Sequence, residues 1–232
     1  MTADRWTQAV RHQLGLGRLL PLGGAQDGAW ISERAAEAVL RHAAREVHGV
    51  RLDGLRIALA DPEDVREPVV PPPPSALPPG TLRVTADIAA TADEPLPAAA
   101  ALLRATLVTA ATERLGLTVT EVDLRVTTLL DEAPQAAEVR RPEPPPEQAA
   151  DGPAAVAALS VPGVTGLTAA LGRGVQVEER QDGTALPRGH VRVEVAVAAE
   201  RRAVEVARAV REEVGKALPG HPTVAVLVTL VG

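Results

Sequence analysis

The chain lacks cysteine, phenylalanine and tyrosine altogether, and its 232 residues include only two tryptophans, Trp6 and Trp30. Without thiols it can form neither a disulfide framework nor a thiolate metal site. The near-absence of aromatic rings also disfavours base stacking, carbohydrate platforms and aromatic cages, since all of these need π faces. The core must therefore be built from valine, leucine, isoleucine and alanine, in a sequence that is 46% hydrophobic.

Positive charge is also scarce. The net charge is −6, and Lys216 is the single lysine, so nearly all basic residues are arginines. An acidic chain matches the phosphate backbone poorly, and we expect no nucleic-acid partner. The abundance of arginine, alanine, proline and glycine is typical of a high-GC genome, such as that of an actinobacterium. No apolar run has the length of a membrane span or the form of a signal peptide, which predicts a cytoplasmic protein.

Two proline-rich segments organise the chain. Residues 67–80 form an extended loop inside the first half, and residues 132–152 have the charge and proline content of a linker. We therefore predict an N-terminal arm with a short amphipathic helix (1–28), a first repeat (29–131) and, after the linker, a second, degenerate repeat (153–232).

The first half contains the pattern of a small α+β unit. Ser32 can cap a helix that ends near Gly49, and Pro97 can begin a second helix that ends near Gly116. Strands are predicted at LRIALA after the first helix, at TLRVTADIAA after the proline loop and at TEVDLRVTTL after the second helix. The buried helix faces follow from helical spacing: Ala36, Val39, Leu40, Ala43 and Val47 in the first helix, and Leu103, Leu107, Ala110 and Leu115 in the second.

The second half repeats this order with similar landmarks. Gly49 corresponds to Gly163, Gly80-Thr-Leu-Arg-Val to Gly189-His-Val-Arg-Val, and Thr118-Val119 to Thr223-Val224. Valines alternate from Val191 to Val197, and a helix follows with Val204, Ala207, Val210 and Val214 on one face. The predicted fold class is α+β, with two tandem α-β-β-α-β repeats, each a three-stranded sheet covered by two helices.

The final strand, TVAVLVTLV, is apolar on both faces, whereas a half-exposed strand should alternate. Its back face is expected to be covered, either by the first repeat or by another molecule. The alternative is a central strand that tolerates small exposed apolar groups. We therefore take Ala225, Leu227 and Val231 as candidate partner-binding residues.

The N-terminal arm supplies the other candidate partner-binding residues. Trp6, Val10 and Leu14 share one face of a predicted helix that is flanked by arginines. This face could pack on its own domain, bind a partner or lie on a membrane surface. The P-x-x-P spacings in the proline loop could dock into an SH3-like groove or could serve only as a spacer.

The sequence offers no recognisable catalytic, cofactor or metal site, and we predict that the protein is not an enzyme and has no cofactor. His12, His42, His48, His190 and His221 have no metal-ligand spacing, and the acidic stretches DPED and TADE sit beside turn-forming residues. Gly163-Val-Thr-Gly166 matches the G-x-x-G of KH domains, but its middle residues are uncharged. An RNA-associated KH-like module therefore stays an alternative, as does a small-molecule-binding α+β domain, which a deep polar pocket between the repeats would favour.

The stretch GAWISERAAEAVLRHAAREVHGVRLDGLRIAL resembles the opening of the alkaline-shock-protein family, the envelope stress response proteins of Gram-positive bacteria. Ile31-Ser32 and the Val47-His-Gly-Val50 joint match that family's pattern, and the later strands and helix match its order. The resemblance covers about residues 28–131 and extends to residues 151–232 as a second copy. The proline insertion and the doubled domain depart from the family pattern.

The resemblance implies a non-enzymatic, cytoplasmic interaction protein of the envelope stress response. Its expected partners are related family members and a small membrane-anchor protein, which would hold it at the inner face of the membrane only indirectly. Homo- or hetero-oligomers fit this expectation.

Overall fold

A computed structural model describes residues 16–93, 95–132, 144–180 and 188–232. The predicted amphipathic helix with Trp6, Val10 and Leu14 lies outside these residues. The α+β class is confirmed, because the described chain forms four helices and two β-sheets. The helices are α1 (Glu33–Ala44), α2 (Leu96–Thr109, continued by a π-helical turn, Ala110–Leu115), α3 (Pro153–Leu159) and α4 (Ala203–Ala217).

The strands follow the period-two patterns of the sequence, and β3 and β5 are longer than predicted. They are β1 (Leu19–Pro21), β2 (Ala29–Ser32), β3 (Val50–Leu59), β4 (Leu82–Thr91), β5 (Val119–Leu130), β6 (Glu147–Gln148), β7 (Val164–Thr168), β8 (Val175–Arg180), β9 (Arg188–Val197) and β10 (Thr223–Val231).

The small sheet has the predicted three strands in the order β3-β4-β5, with β3 antiparallel and β5 parallel to β4. The second sheet is larger than the three strands predicted for the second half. Its order is β1-β2-β10-β9-β7-β6, and β8 also pairs with β9. Strands β1 and β2 reach it from the first half and β6 from the predicted linker, so this sheet joins the two halves of the chain.

Local signals set the helix ends. The Ser32 side chain accepts a hydrogen bond from Ala35 N–H at 3.2 Å, which caps α1 as predicted. Gly116 ends the second helical segment in the left-handed region, at φ 92°. Gly49 also has positive φ, but α1 itself ends at Ala44 and turns fill the residues between them.

One large apolar cluster joins the four helices to the inner faces of both sheets. The predicted helix faces and the valines of β9 lie within it, and they are buried. A second, smaller cluster lies on the back of the large sheet. None of the helices in the described ranges has the length and apolar character needed to cross a membrane.

Candidate functional site

The back of the large sheet is covered mainly by the first half of the chain, with Ala170 and Leu171 of the second half beside it. Ala225 and Leu227 of β10 are fully buried there, together with Trp30 and Val70. Trp30 Nε1 donates a hydrogen bond to the carbonyl of Leu77 at 3.1 Å, which ties the proline loop to the sheet. Of the two covers expected from the sequence, the first half of the chain is the one observed.

This cover changes how the predicted partner-binding residues are placed. Ala225 and Leu227 offer no surface to a partner, because the chain itself encloses them. Val231, at the end of β10, is only partly buried and packs against the large core. Trp6, Val10 and Leu14 lie outside the described residues, so the structure brings only Ala225 and Leu227 together.

Two charged residues lie beside this apolar cover. Glu194 of β9 is fully buried, and Arg192 on the same face is 8% exposed. The Glu194 carboxylate accepts a hydrogen bond from Leu171 N–H at 3.1 Å, and Arg192 Nη2 lies 3.5 Å from it. Burial raises the pKa of Glu194 to about 7, although the Leu171 N–H and the Arg192 guanidinium oppose that rise. Arg192 Nε is the buried side-chain donor that lacks a partner within the described chain.

A cleft of about 250 Å³ separates the proline loop from β8 and β9. One wall is Pro71–Pro74, and the other is formed by Gln176, Glu178, His190 and Arg192. Arg192 Nη2 donates to Gln176 Oε1 at 2.6 Å, and His190 Nδ1 lies 2.8 Å from Thr223 Oγ1. Arg192 and the Gln176 amide are the groups in this wall that can bind a small carboxylate, whereas Glu178 beside them carries the opposite charge.

The small sheet has a different outer face, which is polar and open to solvent. Arg125 of β5 forms a bidentate pair with Asp87 of β4, at 2.7 and 3.0 Å. This hydrogen bonding lowers the pKa of Asp87 below its usual value. Arg83 pairs with Glu121 and lies 3.6 Å from Asp123. Charged pairs of this kind keep an exposed sheet face soluble.

The two edges of the small sheet also differ. On β3, Arg41 donates to the carbonyls of Leu52 and Asp53 at 2.8 and 3.0 Å, and the Glu33 carboxylate accepts from Ile57 N–H at 3.2 Å. Side chains of α1 thus occupy this edge. No described strand pairs with the outer edge of β5, and none of its twelve residues is buried. Strand β5 is therefore an accessible edge for pairing.

The other sequence features lie apart from these surfaces. His42, His48 and His221 are exposed, and His12 lies outside the described residues. Gly163 ends the turn after α3, and Gly166 lies within β7. Within the described ranges, no three acidic, histidine or cysteine side chains are grouped so that they could hold a metal ion.

Sequence reasoning missed the Arg192–Glu194 cluster and the open edge of β5. The alternation of β9 carried a usable signal, because it places Arg192 and Glu194 on the face opposite its core valines. That face is the one shared with Ala225 and Leu227, and charges beside a covered apolar strand indicate a buried polar site. The open edge had no such signal, since strand order is not encoded in one strand's pattern.

Comparison with protein-family models and with curated proteins gives no match to this chain.

Proposed function

We propose that the protein is a non-enzymatic scaffold of the alkaline-shock type, built from two tandem α-β-β-α-β repeats, which binds other proteins. The expected partners are related family members and a membrane-anchor protein at the inner face of the membrane. The solvent-exposed outer edge of β5 carries this proposal, because no strand of the described chain pairs with it and a twelve-residue edge offers a ready site for another chain.

Two matching turns, each between a helix and the strand that follows, support the two-repeat part of the proposal. Gly49 and Gly163 both have positive φ, at 69° and 101°, between a helix and the strand that follows. The Gly49 carbonyl accepts from Thr91 N–H at 2.9 Å, and the Gly163 carbonyl accepts from Ala198 N–H at 2.8 Å. In both halves this bond links the joint to the end of the middle strand, β4 or β9.

Matching irregularities in the last strands give independent support. The β4–β5 pairing shifts register after Val126, and the β9–β10 pairing shifts after Val228. The extra residue is a threonine in both strands. Thr127 Oγ1 donates to the Ile88 carbonyl at 3.3 Å, and Thr229 Oγ1 donates to the Val195 carbonyl at 3.4 Å. A matching geometry at a bulge is more specific than a shared order of elements.

Site-specific cross-linking in cells tests the scaffold role. A photo-reactive residue at Thr128 on exposed β5 should form cross-links to other proteins, which mass spectrometry identifies. The same residue at Glu63, in the exposed turn before the proline loop, is the matched control and should form far fewer. Equal cross-linking at both positions, or none at Thr128, would contradict the proposal.

The cleft beside the proline loop favours a second candidate function, the binding of a small carboxylate. It is polar on one side and lies between the two halves of the chain. Titration with acetate, succinate and glutarate, followed by NMR, should shift the signals of Gln176, His190 and Arg192 saturably. Shifts spread over the whole surface would reject this candidate.

A further inference from the structure

The outer edge of β5 presents a defined set of backbone groups. In a parallel ladder, alternate residues turn their backbone groups toward the neighbouring strand and the others turn away. Arg104 Nε donates to the Val122 carbonyl at 3.2 Å, which places Val122 among the outward residues. Leu124 and Val126 follow at the same period and offer both N–H and C=O groups to a new strand, whereas Val122 offers its N–H and a carbonyl that already accepts from Arg104.

We propose that β5 pairs antiparallel with β5 of a second copy of this chain, about a two-fold axis at Leu124. This inference rests on the proposed function in taking β5 as the interaction edge, and it names the partner. The two three-stranded sheets then form one six-stranded sheet. A two-fold interface of this kind is closed, because each copy offers the same strand to the other.

Charge complementarity favours this register over the other registers in which two β5 strands could pair. With Leu124 opposite its own copy, Asp123 of each chain faces Arg125 of the other, in the position where cross-strand side chains come closest. Centring the axis on Asp123 would place two aspartates together, and centring it on Arg125 would place two arginines together. A slip by one residue would set the helix-facing side chains of one copy against the solvent-facing side chains of the other.

The existing ion pairs extend across this junction. Arg83 lies 3.6 Å from Asp123, and Asp87 holds Arg125 at 2.7 Å, so each new pair joins two pairs already formed. The side chains of Asp123 and Arg125 are 64% and 74% exposed, which leaves both accessible to a partner. Val126, 39% exposed at this edge, would be covered by the second copy's Val122.

Sedimentation of the full chain over a range of concentrations tests the inference. The wild type should pass from monomer to dimer. Asp123→Arg and Arg125→Asp should each weaken the dimer by about tenfold to a hundredfold, since each replaces two attractive contacts by two repulsive ones. The double variant should return to within about threefold of the wild type, because it exchanges the charges and restores both pairs.

Asp53→Arg on the β3 edge is the matched control and should leave the dimer unchanged. Circular dichroism checks that each variant is folded. A wild type that stays monomeric, or a double variant as weak as the single ones, would overturn the inference. Thr128 cross-links to other proteins by a monomeric chain would overturn it while leaving the scaffold proposal intact.

Discussion

Strands β5 and β10 resemble each other in local geometry but have opposite surroundings. Each follows a helix, runs parallel to the middle strand and carries a threonine bulge. Six of the nine residues of β10 are buried, whereas none of the twelve residues of β5 is. The difference comes from neighbours: β2 pairs with the outer edge of β10, and the proline loop covers its back face. The same backbone geometry can therefore serve as core or as surface.

One cross-strand pair in each sheet shows how these different surroundings act on an acidic side chain. Asp87 pairs in register with Arg125 in the small sheet, and Glu194 pairs in register with Leu227 in the large one. The arginine lowers the pKa of Asp87, whereas burial raises the pKa of Glu194 to about 7. Whether the pKa of an acid at this position rises or falls therefore depends on whether the acid is covered.

Placing a charge under the cover should have the largest effect. Leu227→Glu puts a carboxylate in a fully buried position opposite Glu194, and we expect a loss of at least about 3 kcal/mol of unfolding free energy, or failure to fold. Arg125→Glu, at the corresponding exposed position, should change the melting temperature little when measured on dilute protein. Urea unfolding gives the free energy of unfolding of both variants, and thermal unfolding gives their melting temperatures. An unchanged melting temperature for Leu227→Glu would show that the back face is not enclosed.

The buried Glu194 should make stability depend on pH. Its pKa rises from 4.5 to about 7 on folding, so the folded state holds a proton that the unfolded state has lost between these values. The stability that Glu194 contributes should therefore be fully present below pH 4.5 and fall by about 3 kcal/mol as the pH rises to 7. Denaturant unfolding across this range measures the slope.

Two variants separate this effect from other groups. Glu194→Gln should remove the fall in stability between pH 4.5 and 7. Asp87→Asn should leave that window unchanged, because the lowered pKa of Asp87 places its contribution at more acidic pH. A slope that survives Glu194→Gln would assign the pH dependence to another residue.

Loosening the proline loop should have a smaller effect. Val70 is 2% exposed against the back of the large sheet, and Val69 beside it is 42% exposed. Val70→Ala should cost about 2 kcal/mol and speed proteolysis within the loop, since it removes two buried methyl groups and leaves a cavity. Val69→Ala should cost less than about 0.5 kcal/mol. Equal losses for the two valines would mean that the loop does not seal this face.

The sequence predicted what local patterns can encode. Helix faces, the Ser32 cap and the turn at Gly116 follow from nearest neighbours along the chain, and the structure confirms them. The two apolar faces of β10 also predicted a cover, correctly. Which segment covers it depends on β2 and the proline loop, which approach from about 150 to 200 residues away in the chain, and no local pattern specifies such a pairing.

The proposed alignment of the two halves as repeats had a similar limit. The landmark glycines suggest that Gly80 corresponds to Gly189, whereas the bulges and joints align Ile88 with Val195, which differs by two residues. A shift of two keeps every side chain on the same face of a strand, so the hydrophobic pattern does not detect it. The open edge of β5 was harder still to predict from the sequence, because an edge is open only when no other segment of the chain pairs with it.

Amide hydrogen exchange of the full chain at low and high concentration tests the central comparison most directly. Val224, Val226 and Val228 of β10 should be protected at both concentrations, because the chain itself supplies their cover. The outward amides of Val122, Leu124 and Val126 should exchange fast in dilute protein and become protected as the concentration rises. Strong protection of these β5 amides in dilute protein, or no change with concentration, would contradict the account.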